Sequence, residues 1–442
     1  RRDAALPLPA SDPSAPSASL AASTAAAPGS EADAALAAST PGHAPGLADH
    51  EALVMTGATG FFGPFLLAEL LDLTDAPIYV LARGVNDLDA RERVRRALAR
   101  VRPEAAGAAE GALPERIVVW QSDLAAPRLG LSDERWRQLT DLRAAILHNG
   151  AAVDYVRNYA ALRPANVFGT RSVVELALAG PPKSVHHVSS TFIFGWTRKG
   201  VLLESDHNDE MAALDFGYSQ TKWVAERLLR RAAAQGLPVA MYRPSLISVS
   251  RSLRGDTNDV AARLLAFMIR HGVAVDTPNQ ISLLPADVLA HNLVAIALQP
   301  LSGAATYHLT ADRYHSLTEL TRQITHDFGF GFEYHDIPGF IARLNALATP
   351  DDPVFALLDF FNRSAPHIEA MSLKRYDNEG YRRARDANGI AMPDPSLAEV
   401  AGRLVFYLQE LGWIGAGVDG ERQNASACTI QASAAPATVS TK

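Results

Sequence analysis

Cysteine is almost missing: Cys428 is the single one in 442 residues. That excludes an intramolecular disulfide framework and any cysteine-rich metal site. The scattered histidines show no metal-ligand spacing, so no metal is expected. A reducing, cytoplasmic setting is the expected one. Long apolar runs are missing too. None reaches the roughly 18–20 residues that span a bilayer, so no membrane segment is expected. The net charge of −7 leaves no overall basic footprint for nucleic acid. One local basic stretch, "ARERVRRALARVR", carries Glu92 and apolar residues at helical spacing, and reads as a solvated helix face. No internal repeat is present.

Large apolar side chains are scarce in residues 1–48, where "ASDPSAPSASLAASTAAAPGSEADAALAAST" is Ala/Ser/Pro-rich. Such a stretch cannot bury enough surface to offset its ordering entropy, and reads as a flexible interdomain linker. Asp3, Asp12, Glu31 and Asp33 weigh against a transit peptide. Residues 421–442 are again small and polar, and read as a flexible tail. Arg1 in place of Met leads to the expectation of a piece excised from a longer chain, monomeric as such a domain.

What is present begins abruptly at Glu51. A composition 48% hydrophobic and 20% charged suits a sizeable core. Apolar strand candidates "EALVMTG", "PIYVLAR", "RIVVWQSDL", "RAAILHNGA", "SVHHVSS" and "PVAMYRP" alternate with helical patterns, "SDERWRQLT" among them with a good N-cap serine. The expected fold is α/β: a doubly wound, Rossmann-type parallel sheet with a smaller, mostly helical C-terminal lobe. The expected boundaries are a nucleotide-binding core at 49–255, with 281–310 returning to it, and a substrate or carrier lobe at 256–420.

"VMTGATGFFG" sets Gly57, Gly60 and Gly63 between a strand and a helix. A pyrophosphate needs a tight turn, close backbone approach and a helix N-terminus, and this context supplies them. The spacing is Gly-x-x-Gly-x-x-Gly, not the standard dinucleotide fingerprint. After the second strand, "YVLARG" offers Arg83 where an NAD site has an acid. A guanidinium there pairs with the 2′-phosphate of NADP, so NADPH is the expected cofactor. Arg93 either assists or is a solvated helix charge. Asp123 in "QSDL" either bonds the adenine amino group or caps its own loop. Tyr218 and Lys222 stand four apart in "DFGYSQTKWVAERLL", a spacing that any helix brings onto one face.

Taken in order, "TGATGFFG", "ILHNGAAVDY", "LRPANVFGTRSVVELA", "HHVSSTFIFG", "GYSQTKWVAERLL" and "MYRPSLI" resemble the extended short-chain dehydrogenases/reductases. Within these, the chain resembles the thioester reductase domains of nonribosomal peptide synthetases, polyketide synthases, aminoadipate reductases and carboxylic acid reductases, over about Glu51 to Trp413. The resemblance implies a catalytic Ser190, Tyr218 and Lys222, with Ser189 and Thr191 as neighbouring hydroxyls. It implies cofactor contacts from Gly57, Thr59, Gly60, Phe61, Phe62, Gly63, Arg83, Arg93, Asp123, Leu124, Asn149, Gly150 and Ala151, besides Tyr218 and Lys222. The partner it implies is a phosphopantetheinyl carrier protein domain bearing the acyl thioester. This chain departs from the family at "RPSLISVS", where Ser245 and Ser248 replace glycines in a substrate-lining loop.

The implied reaction is NADPH-dependent reductive chain release to an aldehyde, with a second hydride leading on to an alcohol. Tyr218 and Ser190 would donate to the growing oxyanion. Lys222 would lower the tyrosine pKa and hold the nicotinamide ribose. His148, His186 and His187 read as structural. Competing readings are a sugar-nucleotide epimerase or dehydratase, a fatty acyl-CoA reductase, and a non-enzymatic dinucleotide sensor. Arg83 argues against the first, the missing membrane-associating segment against the second, and the Tyr218/Lys222 pair against the third.

Overall fold

The computed structural model describes residues 46–103, 113–197, 199–209, 214, 216–301, 303–370, 374–387 and 389–415. The segments read as linker and tail lie outside them, except for residues 46–48. There Leu47 is buried in a helical turn, Leu47–Asp49, because a leucine side chain gains by leaving water.

Seven strands form the main sheet: β1 (Ala52–Thr56), β2 (Ile78–Ala82), β3 (Ile117–Gln121), β4 (Ala144–His148), β5 (Ser184–Val188), β6 (Val239–Pro244) and β7 (Ala304–Leu309). Their order is β7-β6-β5-β4-β1-β2-β3. Every pairing from β3 through β2, β1, β4 and β5 to β6 is parallel. All residues of β1, β4, β5 and β6 are buried, as strands covered on both faces require. Helices follow the strands: α1 (Gly63–Leu73), α2 (Asp87–Val101), α3 (Asp133–Asp141), α4 (Tyr159–Arg163), α5 (Gly169–Leu178) and α6 (Gly217–Ala233). Ser132 caps α3 as expected, its hydroxyl accepting from the Arg135 N–H at 3.3 Å. This is the doubly wound arrangement that the alternation predicts, with its switch point between β1 and β4.

The chain divides into two compact units. Of the described residues, the first takes those up to Ile193 with His207–Arg243 and Leu293–Tyr307, and holds most of the sheet. The second takes Phe194–Asp206, Pro244–Asn292 and the described residues from His308 on. Its core packs α7 (Val260–His271) with α9 (Leu317–Phe328) and α13 (Leu397–Glu410) through Leu265, Ile269, Leu320, Phe328, Leu404 and Leu408. Between α7 and α9, the short strand Leu283–Pro285 leads into α8 (Ala286–Ala297). α10 (Ile337–Leu347), α11 (Leu358–Ala370) and α12 (Glu379–Asp386) complete the helices among the described residues. Ser316 and Ser396 open α9 and α13 with reciprocal capping boxes to Glu319 and Glu399. Among the described residues, four two- or three-residue ladders supplement this helical unit, such as Leu246–Ser248 beside Leu283–Pro285.

One carboxylate fastens three backbone sites of the second unit. Glu204 accepts from the N–H groups of His308 at 2.9 Å, Gly380 at 2.7 Å and Tyr381 at 3.0 Å, joining β7 to the start of α12. Glu204→Ala leaves these donors unpaired and should lower stability by about 2–4 kcal/mol. The urea midpoint measures this; a midpoint equal to that of the parent would contradict it.

Candidate active site

The turn after β1 lies at the sheet's switch point, the usual position for a ligand crevice in such sheets. Gly57 has a φ of +78°, and a Cβ there would lie 2.6 Å from the Gly150 nitrogen. A Cβ on Gly63 would lie 2.0 Å from the Gly57 carbonyl oxygen, so both glycines are required by close packing. Gly60 differs: it is exposed, and its Cβ would find only the Gly57 oxygen, at 3.7 Å. The open space at Gly60, just ahead of α1, fits a pyrophosphate held by backbone N–H groups. Thr59 and Phe61 are half-buried beside it, while the Phe62 ring is buried and its carbonyl accepts from Leu66 N–H at 3.3 Å.

The end of β4 is wired to this turn. Asn149 Nδ2 donates to the Gly57 oxygen at 3.2 Å, and Gly150 N–H donates to Thr56 Oγ1 at 3.0 Å. Thr56 Oγ1 lies 2.8 Å from His148 Nδ1, and His148 Nε2 lies 3.0 Å from Thr170 Oγ1, which donates to the Asn166 carbonyl. The donor order makes His148 a neutral Nε2–H tautomer with both nitrogens occupied. Burial and the nearby Lys222 charge push its pKa down to about 3, which suits a structural histidine. His186 is likewise engaged, 3.0 Å from the Tyr242 hydroxyl. His187 is not so well satisfied. Its ring lies 5.1 Å from that of His148, and its nitrogens lack a well-formed partner among the described residues, the His148 backbone being the one approach.

Ser190, Tyr218 and Lys222 come together at the end of β5 and the first turns of α6, all buried. The Tyr218 phenol faces Ser190, whose Oγ accepts from the Phe192 N–H at 3.2 Å. Burial raises the Tyr218 pKa and the Ser190 bond partly offsets it, so the phenol is a neutral donor. Lys222 is not among the influences on Tyr218, contrary to the expected lowering. Its Nζ donates to the Val188 carbonyl at 2.7 Å, and burial brings its pKa down to about 8 against the pull of Glu226. Tyr155, Phe192 and Phe216 surround Tyr218, with Tyr155 at 6.1 Å between ring centroids.

Two further groups hold this trio. Glu226, one turn beyond Lys222, takes a bidentate pair from Arg243 of β6 at 2.9 and 2.7 Å and a 2.5 Å bond from Ser189. Burial alone would raise the Glu226 pKa; the Arg243 charge and hydrogen bonds, with Arg230 and Ser189, hold it down to about 2. Asn166, in the π turn Pro164–Phe168, bonds both backbone groups of Ala152 at 2.7 and 2.9 Å, and Thr221 of α6 at 2.9 Å. The sequence signals were there: Glu226 lies eight residues after Tyr218 on the same face, and Arg243 interrupts an apolar strand.

On the other side of the switch point, Arg83 is exposed just past β2 and has no ion-pair partner among the described residues. Arg93 is exposed on α2, also without one. Acids of the same stretch are occupied: Asp87 by Arg135 and the Gln121 N–H, Asp89 by the Val85 N–H, Glu92 by Arg95 and Arg96. Asp123 is exposed and accepts from Ala125 N–H at 2.9 Å; Leu124 packs on Gly150, with Ala151 half-buried nearby. Among the described residues no three His, Cys, Asp or Glu side chains gather to hold a metal, and no helix is long and apolar enough to cross a membrane.

Residues 55–293 match the family model described as Male sterility protein, an NAD-binding family. The chain is 36% identical over 264 residues to a component of the linear gramicidin synthase of Brevibacillus parabrevis, covering 59% of this chain and 5% of that protein. It is 32% identical over 268 residues to L-2-aminoadipate reductase of Saccharomyces cerevisiae, covering 56% of this chain and 19% of that protein. The chain thus spans only a small part of these curated relatives. Among solved structures, it is similar to the terminal R domain from the myxalamid PKS-NRPS pathway, at 30% identity and a TM-score of 0.76, covering 88% of this chain and 98% of that one.

The Glu226–Arg243 pair carries a pH signature. Its carboxyl titrates near 2 when folded and near 4.5 otherwise, so its stabilisation is complete above about pH 4.5 and is lost as pH falls through about 2. Glu226→Gln leaves Arg243 buried without its counter-charge and should cost about 3–5 kcal/mol at pH 7, and markedly less at pH 3. Urea unfolding at the two pH values checks this; an equal loss at both would contradict it.

Proposed function

The chain belongs to the Male sterility protein family and, within it, to the terminal reductase domains of the extended short-chain dehydrogenase/reductase superfamily, and from that membership we propose that it releases a carrier-bound acyl or peptidyl thioester by reduction with NADPH. The observation that carries this reading is the buried trio: the Tyr218 phenol on Ser190, with Lys222 one helical turn along.

NADPH, when bound, supplies the hydride, and the protein contributes placement and electrostatics. Adding hydride to a thioester carbonyl builds negative charge on its oxygen. Tyr218 and Ser190 are two donors fixed beforehand in a water-poor site, the arrangement that stabilises such charge most. Because burial keeps the phenol protonated, Tyr218 can pass its proton to that oxygen, giving a hemithioacetal. Re-forming the carbonyl breaks the C–S bond and releases aldehyde and pantetheine thiol. Lys222 would hold the nicotinamide ribose hydroxyls. Arg83, exposed and without an acidic neighbour claiming it, supports a 2′-phosphate and hence NADPH over NADH. The proposed partner is a phosphopantetheinyl carrier domain.

Tyr218→Phe should lower the NADPH-dependent reduction of an acyl-pantetheine thioester by about 10²-fold or more while NADPH still binds. Full activity in that variant would overturn the assignment. Arg83→Asp should shift the NADPH:NADH ratio of kcat/KM by about 10- to 100-fold toward NADH; an unchanged ratio would remove Arg83 from the site. Lys222 is a cation below about pH 8 and neutral above it, so kcat/KM should fall as pH rises through about 8. A profile flat to pH 9.5 would contradict a charged role for Lys222.

A further inference from the structure

Three consecutive residues after β3 adopt the left-handed conformation: Arg128 (φ 50°, ψ 35°), Leu129 (φ 60°, ψ 21°) and Gly130 (φ 71°). For Arg128 and Leu129 this crowds Cβ against the backbone, and such turns persist only where their surroundings demand them. The surroundings here are definite. Leu129 is fully buried in the sheet core. Arg128 pairs with Asp133 at 2.6 Å and lies 5.8 Å from the Trp136 ring centroid.

The turn delivers the Leu129 carbonyl. That oxygen accepts from the Asp123 N–H at 2.9 Å and the Ser122 hydroxyl at 2.8 Å. Right-handed geometry at Arg128 and Leu129 would aim it elsewhere and free both donors. Asp123 and Leu124 follow directly, and Leu124 packs on Gly150, which abuts Gly57 of the glycine turn. We propose that the left-handed turn Arg128–Gly130 is a positioning device that holds the Ser122–Leu124 edge ready for the adenosine half of the dinucleotide, Arg128 and Leu129 acting through their backbone. This rests on the NADPH reading above. A loop that must be in this form to bind lowers apparent affinity by the fraction of molecules in which it is not.

Arg128 is exposed, so its substitution tests backbone conformation without emptying the core. Three probes are titrated into the purified protein: NADPH, 2′,5′-ADP as the adenosine half, and reduced nicotinamide mononucleotide as the other half. Arg128→Val, whose β-branch opposes a positive φ, should weaken NADPH and 2′,5′-ADP by the same factor, about five- to tenfold, and leave reduced nicotinamide mononucleotide unchanged. Arg128→Gly, which accepts this backbone freely, should bind both at least as tightly as the parent. Equal weakening of all three probes, no weakening of any, or weakening by Gly as by Val would overturn the inference. Arg83→Ala separates it from the cofactor reading. If Arg83→Ala leaves 2′,5′-ADP binding intact, the 2′-phosphate assignment fails; if it weakens binding and Arg128→Val does not, the positioning turn fails.

Discussion

The buried pair of Glu226 and Arg243 is the constraint on which the rest of the site depends. Glu226 sits on the helix that carries Tyr218 and Lys222, Arg243 lies on β6, and Ser189 stands next to Ser190 just past the end of β5. One carboxylate therefore fixes the three elements that surround the trio. A charge pair so deep is costly to desolvate, and its geometry must be good to persist; here both carboxylate oxygens are used. With the hydroxyl of Ser189 engaged by Glu226, Ser190 is the neighbour left facing Tyr218. Asn166 adds a second tie, joining the loop after β4 to Thr221 within the same helix turn.

At the switch point, packing and binding divide the glycines between them. Gly57 and Gly63 are glycine because backbone occupies the space a Cβ would need, while Gly60 faces open space. The hydrogen bonds from Asn149 and Gly150 tie this turn to the end of β4. Preformed donors cost nothing to organise when charge develops, and such sites owe their effect to that. The family membership and the geometry thus agree on an NAD(P)-binding reductase.

Much of this was legible in the sequence, for physical reasons. Five-residue apolar strands and amphipathic helices have a period to read, and the sheet followed from their alternation. The Tyr218–Lys222 spacing and the glycine turn are local, so they too could be placed. Most of the two- and three-residue ladders in the second unit have no period to read, Leu283–Pro285 being the exception. Ser189, Ser190 and Thr191 are equivalent hydroxyls on paper; only the partners, Glu226 for one and Tyr218 for the next, tell them apart. The Glu226–Arg243 pair joins positions 17 apart across a helix and a strand, a contact no local pattern encodes. Lys222 was expected to act on Tyr218 through its charge, yet burial dominates both groups and the lysine turns to the Val188 carbonyl.

The most direct measurement follows NADPH oxidation and thiol release together when the protein meets an acyl-pantetheine thioester. The account predicts that thiol appears only with NADPH present, with one NADPH oxidised per thiol when aldehyde is the product and two when alcohol is. Thiol released without NADPH oxidation, or no turnover with carrier-bound and free thioesters alike, would contradict it.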